Sequence, residues 1–116
     1  MVVRRASALA KAFKGRWGIA EMDVWDNDDL DLAEPAHITF EGDNDGSFAF
    51  VAVTGEIDVR YGSRDGSACA EFTWEGFDDA EPASGRGWVA LGTAGRLVGH
   101  LFIHKGDDSG FVALHD

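Results

Sequence analysis

The hydrophobic period of the chain changes once. Ala6, Leu9, Ala10 and Phe13 recur at i, i+3, i+4 and i+7, the spacing that lines one face of a helix. This predicts a short amphipathic helix within residues 1–14, stopped by Gly15. Beyond it, apolar and polar positions alternate with the period of two that marks half-buried strands. Turn residues divide this stretch into eight strands: Arg16–Trp25, Ala36–Glu41, Ser47–Thr54, Glu56–Tyr61, Ser67–Glu75, Gly87–Leu91, Arg96–Lys105 and Gly110–His115. Between them lie an acidic stretch (Asp26–Pro35), tight turns at Gly42–Gly46, Ser63–Gly66, Gly92–Gly95 and Gly106–Ser109, and a longer loop at Gly76–Arg86.

Short strands joined by turns suggest an antiparallel meander. No connection is long enough for a crossover helix, which disfavours parallel pairing. An open sheet of this size exposes two edges, and closure removes them. The expected fold is therefore all-β: an eight-stranded antiparallel up-and-down barrel with a short N-terminal helix covering one end. Residues 1–116 form a single domain, with the helix in 1–14 and the barrel in 15–116. A two-sheet sandwich is the rival.

The alternation also selects an inner face. Ile38 and Phe40, Ile57, Val59 and Tyr61, and Ala68, Ala70, Phe72 and Trp74 all alternate with polar residues, and Leu97, Leu101 and Ile103 share a face with Gly99. The third strand is apolar on both faces, with Phe48 and Phe50 on one and Val51 and Val53 on the other, so its outer face needs cover from the helix or a second subunit. Trp17, Phe40, Phe48, Phe50, Tyr61, Phe72, Trp74 and Trp88 compete for the interior, which favours a filled barrel over a roomy one. The first strand poses a conflict. If Trp17 and Ile19 point inward, strict alternation also brings in Glu21, Asp23 and Trp25, and buried unpaired carboxylates are costly. Either a bulge turns Met22 and Val24 inward, or the acids line an open polar mouth.

Charge sharpens this picture. The chain of 116 residues has 21 acidic and 10 basic residues and a formal net charge of −11. Residues 1–16 carry five cations and no acid, so a segment of +5 precedes a body of −16. An acidic body argues against binding a phosphate backbone, and no nucleic-acid partner is expected. No apolar stretch approaches the length of a membrane span, and Lys11 and Lys14 interrupt any signal-peptide core, so no membrane partner is expected either. The lone Cys69 suits a reducing cytoplasm.

Phe13-Lys-Gly-Arg-Trp17, between the helix and the first strand, resembles the G-x-W signature of the calycin superfamily, which includes lipocalins, fatty-acid-binding proteins and avidins. The resemblance implies that Trp17 packs across the closed end of the barrel beneath the helix. The chain is shorter than lipocalins and lacks the ligand-stacking tryptophans of avidins. The segments 15–26, Phe72–Gly76, Pro82–Trp88 and His104–Ser109 are similar to a family of small bacterial proteins. That likeness implies a bacterial source and brings no activity with it.

Chemistry-bearing motifs are sparse. His100 and His104 share a strand face but stand about 13 Å apart, too far to hold one metal together. Glu41–Gly46 is faintly like a calcium loop, yet its twelfth position is Ala52, where a bidentate acid is needed. Ser84–Trp88 is glycine-rich without the features of a phosphate loop, although Arg86 is placed to clamp a carboxylate or phosphate. No nucleophile elbow, zinc signature or nucleotide fingerprint is present, and neither a metal nor a cofactor is expected. The first functional expectation is a non-catalytic, calycin-like module that binds a small molecule at the barrel mouth through Glu21, Asp23, Trp25 and Arg86. The alternative is an interaction module, a homodimer included, using the outer face of the third strand or the acidic surface. The third is an enzyme with Glu21 or Asp23 as base, which requires a dry pocket.

Overall fold

In a computed structural model, which describes residues 9–116, eight strands close into one barrel. They are β1 (Gly15–Met22), β2 (His37–Glu41), β3 (Asp45–Phe50), β4 (Val53–Arg64), β5 (Ser67–Asp78), β6 (Glu81–Leu91), β7 (Arg96–Ile103) and β8 (Asp108–His115). Each pairs antiparallel with its sequence neighbours, and β1 closes the ring onto β8. This is the all-β up-and-down barrel that the alternation predicts. The described part of the N-terminal helix, α1, covers residues 9–13; Ala6 and the rest of the predicted helix lie outside the described residues. No helix among the described residues is long and apolar enough to cross a membrane.

α1 plugs the barrel end where β1 begins. Phe13 is fully buried, its ring 5.7 Å from that of Phe40 and 5.6 Å from that of Tyr61. The Trp17 indole N–H donates to the Phe13 carbonyl across 2.7 Å, which satisfies both buried polar groups and ties plug to wall. Gly15 turns the chain between them at φ +112°, a conformation that side chains rarely adopt. The opposite end is stoppered by a second helix, α2 (Asn27–Leu30), inside the acidic stretch. Its Leu30 is buried, and the Leu30 carbonyl accepts the Val51 N–H at 2.7 Å.

The interior is packed by rings set against glycines. A Cβ at Gly87 would lie 2.5 Å from the Phe72 ring, and one at Gly55 would lie 2.7 Å from the Phe48 ring. The inward positions opposite large rings therefore carry no side chain, which brings the packing towards native density without strain.

Several boundaries differ from the sequence expectation. β1 ends at Met22 rather than Trp25, and Val24 is exposed. Its pairing with β8 slips between Ile19 and Glu21, so a bulge turns Met22 inward and leaves Glu21 outside. β3 ends at Phe50. Val51, at φ +53°, starts the turn into β4, and Val53 faces the interior from β4. The third strand therefore has no bare apolar outer face, since outward Ala49 is also buried. The expected loop Gly76–Arg86 is strand: β5 runs to Asp78 and β6 starts at Glu81, around a turn with Asp79 at φ +58°. Pro82 is compatible with this because it lies beyond the last residue of β6 that pairs with β7. Extending β6 backwards puts Gly85, Gly87 and Val89 in one alternating set, and Val89 is fully buried. Trp88 consequently faces outward, not into the core as expected.

Replacing Phe13 by Ala should lower stability by about 3–5 kcal/mol, the range for emptying a fully buried ring site. Urea unfolding would show this as a lower midpoint at unchanged slope; a loss under about 1 kcal/mol would mean that α1 does not seal the barrel.

Candidate functional site

The inward side chains form one continuous core from Phe13 and Trp17 to Leu30 and Phe50. Among the described residues, the larger concavities lie on the outer walls.

The four residues expected at a mouth do not converge. Glu21 is exposed beside the bulge. Asp23 is exposed just past β1, where its backbone N–H donates to the Gly110 carbonyl and to Ser109 Oγ, both at 3.0 Å. Trp25 lies half-buried against the core at the α2 end, 5.0 Å from the Phe50 ring. Arg86 stands on the outer wall of β6, opposite Thr73 of β5 and Phe102 of β7. Trp17 lies at the α1 end, buried, beneath the Phe13 plug.

Arg86 belongs instead to a furrow on the outside of β4–β7. Two cross-strand rows run side by side there. One is Arg60, Glu71, Trp88 and His100; the next is Asp58, Thr73, Arg86 and Phe102. Between them lies a cleft of about 260 Å³. A second cleft of about 520 Å³ continues past Ser84 to His104 and Lys105, sharing Thr73, Arg86 and Phe102 with the first.

The electrostatics of this wall are unusual for so acidic a chain. All five cations after residue 16 (Arg60, Arg64, Arg86, Arg96 and Lys105) fall on β4, β6, β7 or the turn after β7. Arg64 reaches Glu71 at 3.5 Å and lies 5.8 Å from the centre of the Trp88 ring. Arg86 lies 4.5 Å from the centre of the Phe102 ring. Among the described residues, neither Arg60 nor Arg86 has a carboxylate within 4.0 Å. A guanidinium resting on a ring keeps its N–H edge free for a planar oxyanion, and the half-buried rings of Trp88 and Phe102 beside it offer a stacking surface. His100 is held by Asp108, Nε2 to Oδ2 at 2.6 Å, with its ring 4.7 Å from that of Phe102. These contacts fix the position of both rings.

Among the described residues, burial shifts three titratable groups elsewhere. The Tyr61 phenol is pushed up to about 12 by burial and by the charges of Asp45 and Asp43. Burial pushes the Cys69 thiol up, which keeps it protonated and unreactive. His37, 7% exposed, is held below its ordinary value by burial and then by the Arg16 guanidinium, against the opposing pull of Glu34.

Sequence reasoning picked out Arg86 but missed Arg60, Trp88 and Phe102 as its neighbours. The signal was present: had the period-two pattern been carried back from Val89 through Gly87 and Gly85, Trp88 and Arg86 would have fallen on the outer face. Comparison with protein-family models, curated proteins and solved structures returns no match.

A neutral, buried His37 favours folding where the imidazole is uncharged. Protonation favours the unfolded chain, whose histidine titrates near 6.5. The contribution of His37 is thus complete above pH 6.5 and is lost as pH falls towards its lowered folded value. Urea midpoints of the wild type should fall more steeply below that pH than those of His37→Gln; parallel profiles would show that His37 is not the group responsible.

Proposed function

We propose that this barrel is a non-catalytic, calycin-like binding module whose ligand is a small molecule carrying both an oxyanion and a flat ring. It holds that ligand on its outer wall, in the β4–β7 furrow, rather than inside the barrel. The observation that carries this reading is Arg86, a guanidinium seated on Phe102 with no carboxylate partner among the described residues, in a chain where acids outnumber bases two to one. In such a chain nearby acids would normally neutralise an exposed arginine. Arg86 is the anchor, Arg60 the second cation across the cleft, and Trp88 and Phe102 the stacking surfaces. The filled interior supports the outer site. The exposure of Glu21 and Asp23, which lie in no dry pocket, supports a non-catalytic reading. A reducing cytoplasm of a bacterial cell is the setting that suits the lone Cys69.

Phenyl phosphate, benzoate and inorganic phosphate are the probes. In amide-detected NMR titrations the two ring-bearing anions should shift Arg86, Thr73, Phe102 and the Trp88 indole N–H saturably. Inorganic phosphate, which has nothing to stack, should bind more weakly. Arg86→Ala should weaken binding by about tenfold or more, and Arg86→Lys should fall between, since it keeps the charge but loses the planar edge. Saturable shifts that survive Arg86→Ala, or an absence of saturable shifts with all three probes, would sink the reading.

A further inference from the structure

The outer walls are not alike. On β4 and β5 the outward positions carry Glu56, Asp58, Arg60, Glu71, Thr73 and Glu75. Around β7, β8 and β1 they carry Val98, Val112 and Leu114, flanked by the small residues Gly18, Ala20 and Ala90. Val98 stands directly opposite Val112, and Leu114 follows Val112 on the same face of β8. Val98 is 42% and Leu114 46% exposed, because the flanking residues are too short to cover them. A contiguous apolar patch on a curved sheet wall marks a contact surface.

Charge identifies the occupant. Arg96 of β7, opposite Leu114, flanks the patch on one side; Glu21 of β1, opposite Val112, flanks it on the other. Among the described residues neither has an oppositely charged partner within 4.0 Å. The nearby Arg16 and Asp116 satisfy each other at 3.1 Å and add no net charge to the rim. A partner of a single charge sign would satisfy only one flank. A second copy satisfies both, because a two-fold axis lying in the contact plane between the two flanks sets each Arg96 against the other copy's Glu21. We infer that the β7–β8–β1 wall is a self-association surface on which a second copy of this chain packs, apolar patch to apolar patch, with reciprocal Arg96–Glu21 pairs at its edges. This replaces the third strand as the apolar outer face of the barrel. It stands apart from the furrow, which uses outward residues of β4–β6 with His100 and Phe102 of β7.

Sedimentation velocity tests this on the full chain. The wild type should be a concentration-dependent dimer. Leu114→Asp and Val98→Asp should each leave folded monomers, checked by circular dichroism. Arg96→Glu or Glu21→Arg alone should raise the dimer dissociation constant by about tenfold or more, and the double variant R96E/E21R should restore it. Failure of the double variant to recover, or a dimer that survives Leu114→Asp and Val98→Asp, would overturn the inference. So would a wild type still monomeric near ~1 mM. Phenyl phosphate titration of the Leu114→Asp monomer keeps this inference separate from the furrow reading, since probe binding should be unaffected.

Discussion

β1 is hydrogen-bonded to β2 along Gly15–Gly18 and to β8 along Trp17–Met22, and the second pairing slips by one residue between Ile19 and Glu21. Barrel closure depends on this slip. With strict alternation, the strand that brings Trp17 and Ile19 inward would also bring in Glu21 and then Asp23, each an unpaired carboxylate in an apolar interior at a cost of several kcal/mol. One extra residue at the bulge shifts the phase, so that Met22 enters the core and both acids remain in water. Ser109 fixes the exit of the strand. Its buried Oγ accepts the N–H groups of Asp23 and Val24 at 3.0 and 3.1 Å and donates to the Gly110 carbonyl at 2.8 Å. The bonding capacity of this buried hydroxyl is fully used here, so it ties the end of the bulged strand to β8.

With the acids outside, the interior closes on apolar side chains and the Tyr61 ring. Rings of Phe48, Phe72 and Trp74 fill it against inward glycines, Phe13 closes one end, and Leu30 with Trp25 closes the other. Recognition is thereby displaced to the outer walls, where each strand contributes every second residue. The walls divide by chemistry. The β4–β7 wall sets Arg60, Arg86 and two half-buried rings among acids such as Asp58 and Glu71, while the β7–β8–β1 wall is short-chained and apolar. The two surfaces share β7 but use different residues of it, Phe102 and His100 in one case and Val98 and Arg96 in the other.

Much of this was legible in the chain. Alternation located all eight strands and the inward faces of β2, β4, β5 and β7, because each side chain there meets either water or core with no intermediate choice. The helix spacing located Phe13 as a buried contact. The hairpin turn at Asp65-Gly66, with both residues at positive φ, was readable because that conformation selects Asp and Gly. The segment 76–86 reads as loop in the sequence because Pro82, Gly85 and three acids outweigh a weak alternation. Its strand character comes from pairing with β5, which sequence proximity alone does not reveal. The candidate site suffered most from that error. With β6 begun at Gly87, Trp88 fell inside and Arg86 fell in a loop, so the two never appeared as neighbours on one wall.

By itself the sequence determined the fold class and the strand order, and it favoured a filled interior over a roomy one. Those follow from local periodicity and from the volume of eight competing aromatic side chains, seven of which do face the core. It also posed the β1 conflict correctly but left both outcomes open. Only the tertiary structure decided between them, because a bulge is chosen by the register of the strand on the other side. Here that strand is β8, more than 80 residues away, with Ser109 placed to receive the two N–H groups freed beyond the bulge. The outer-wall furrow and the apolar patch are decided in the same way. Each joins residues from three or more strands, and their adjacency exists only once the sheet has closed.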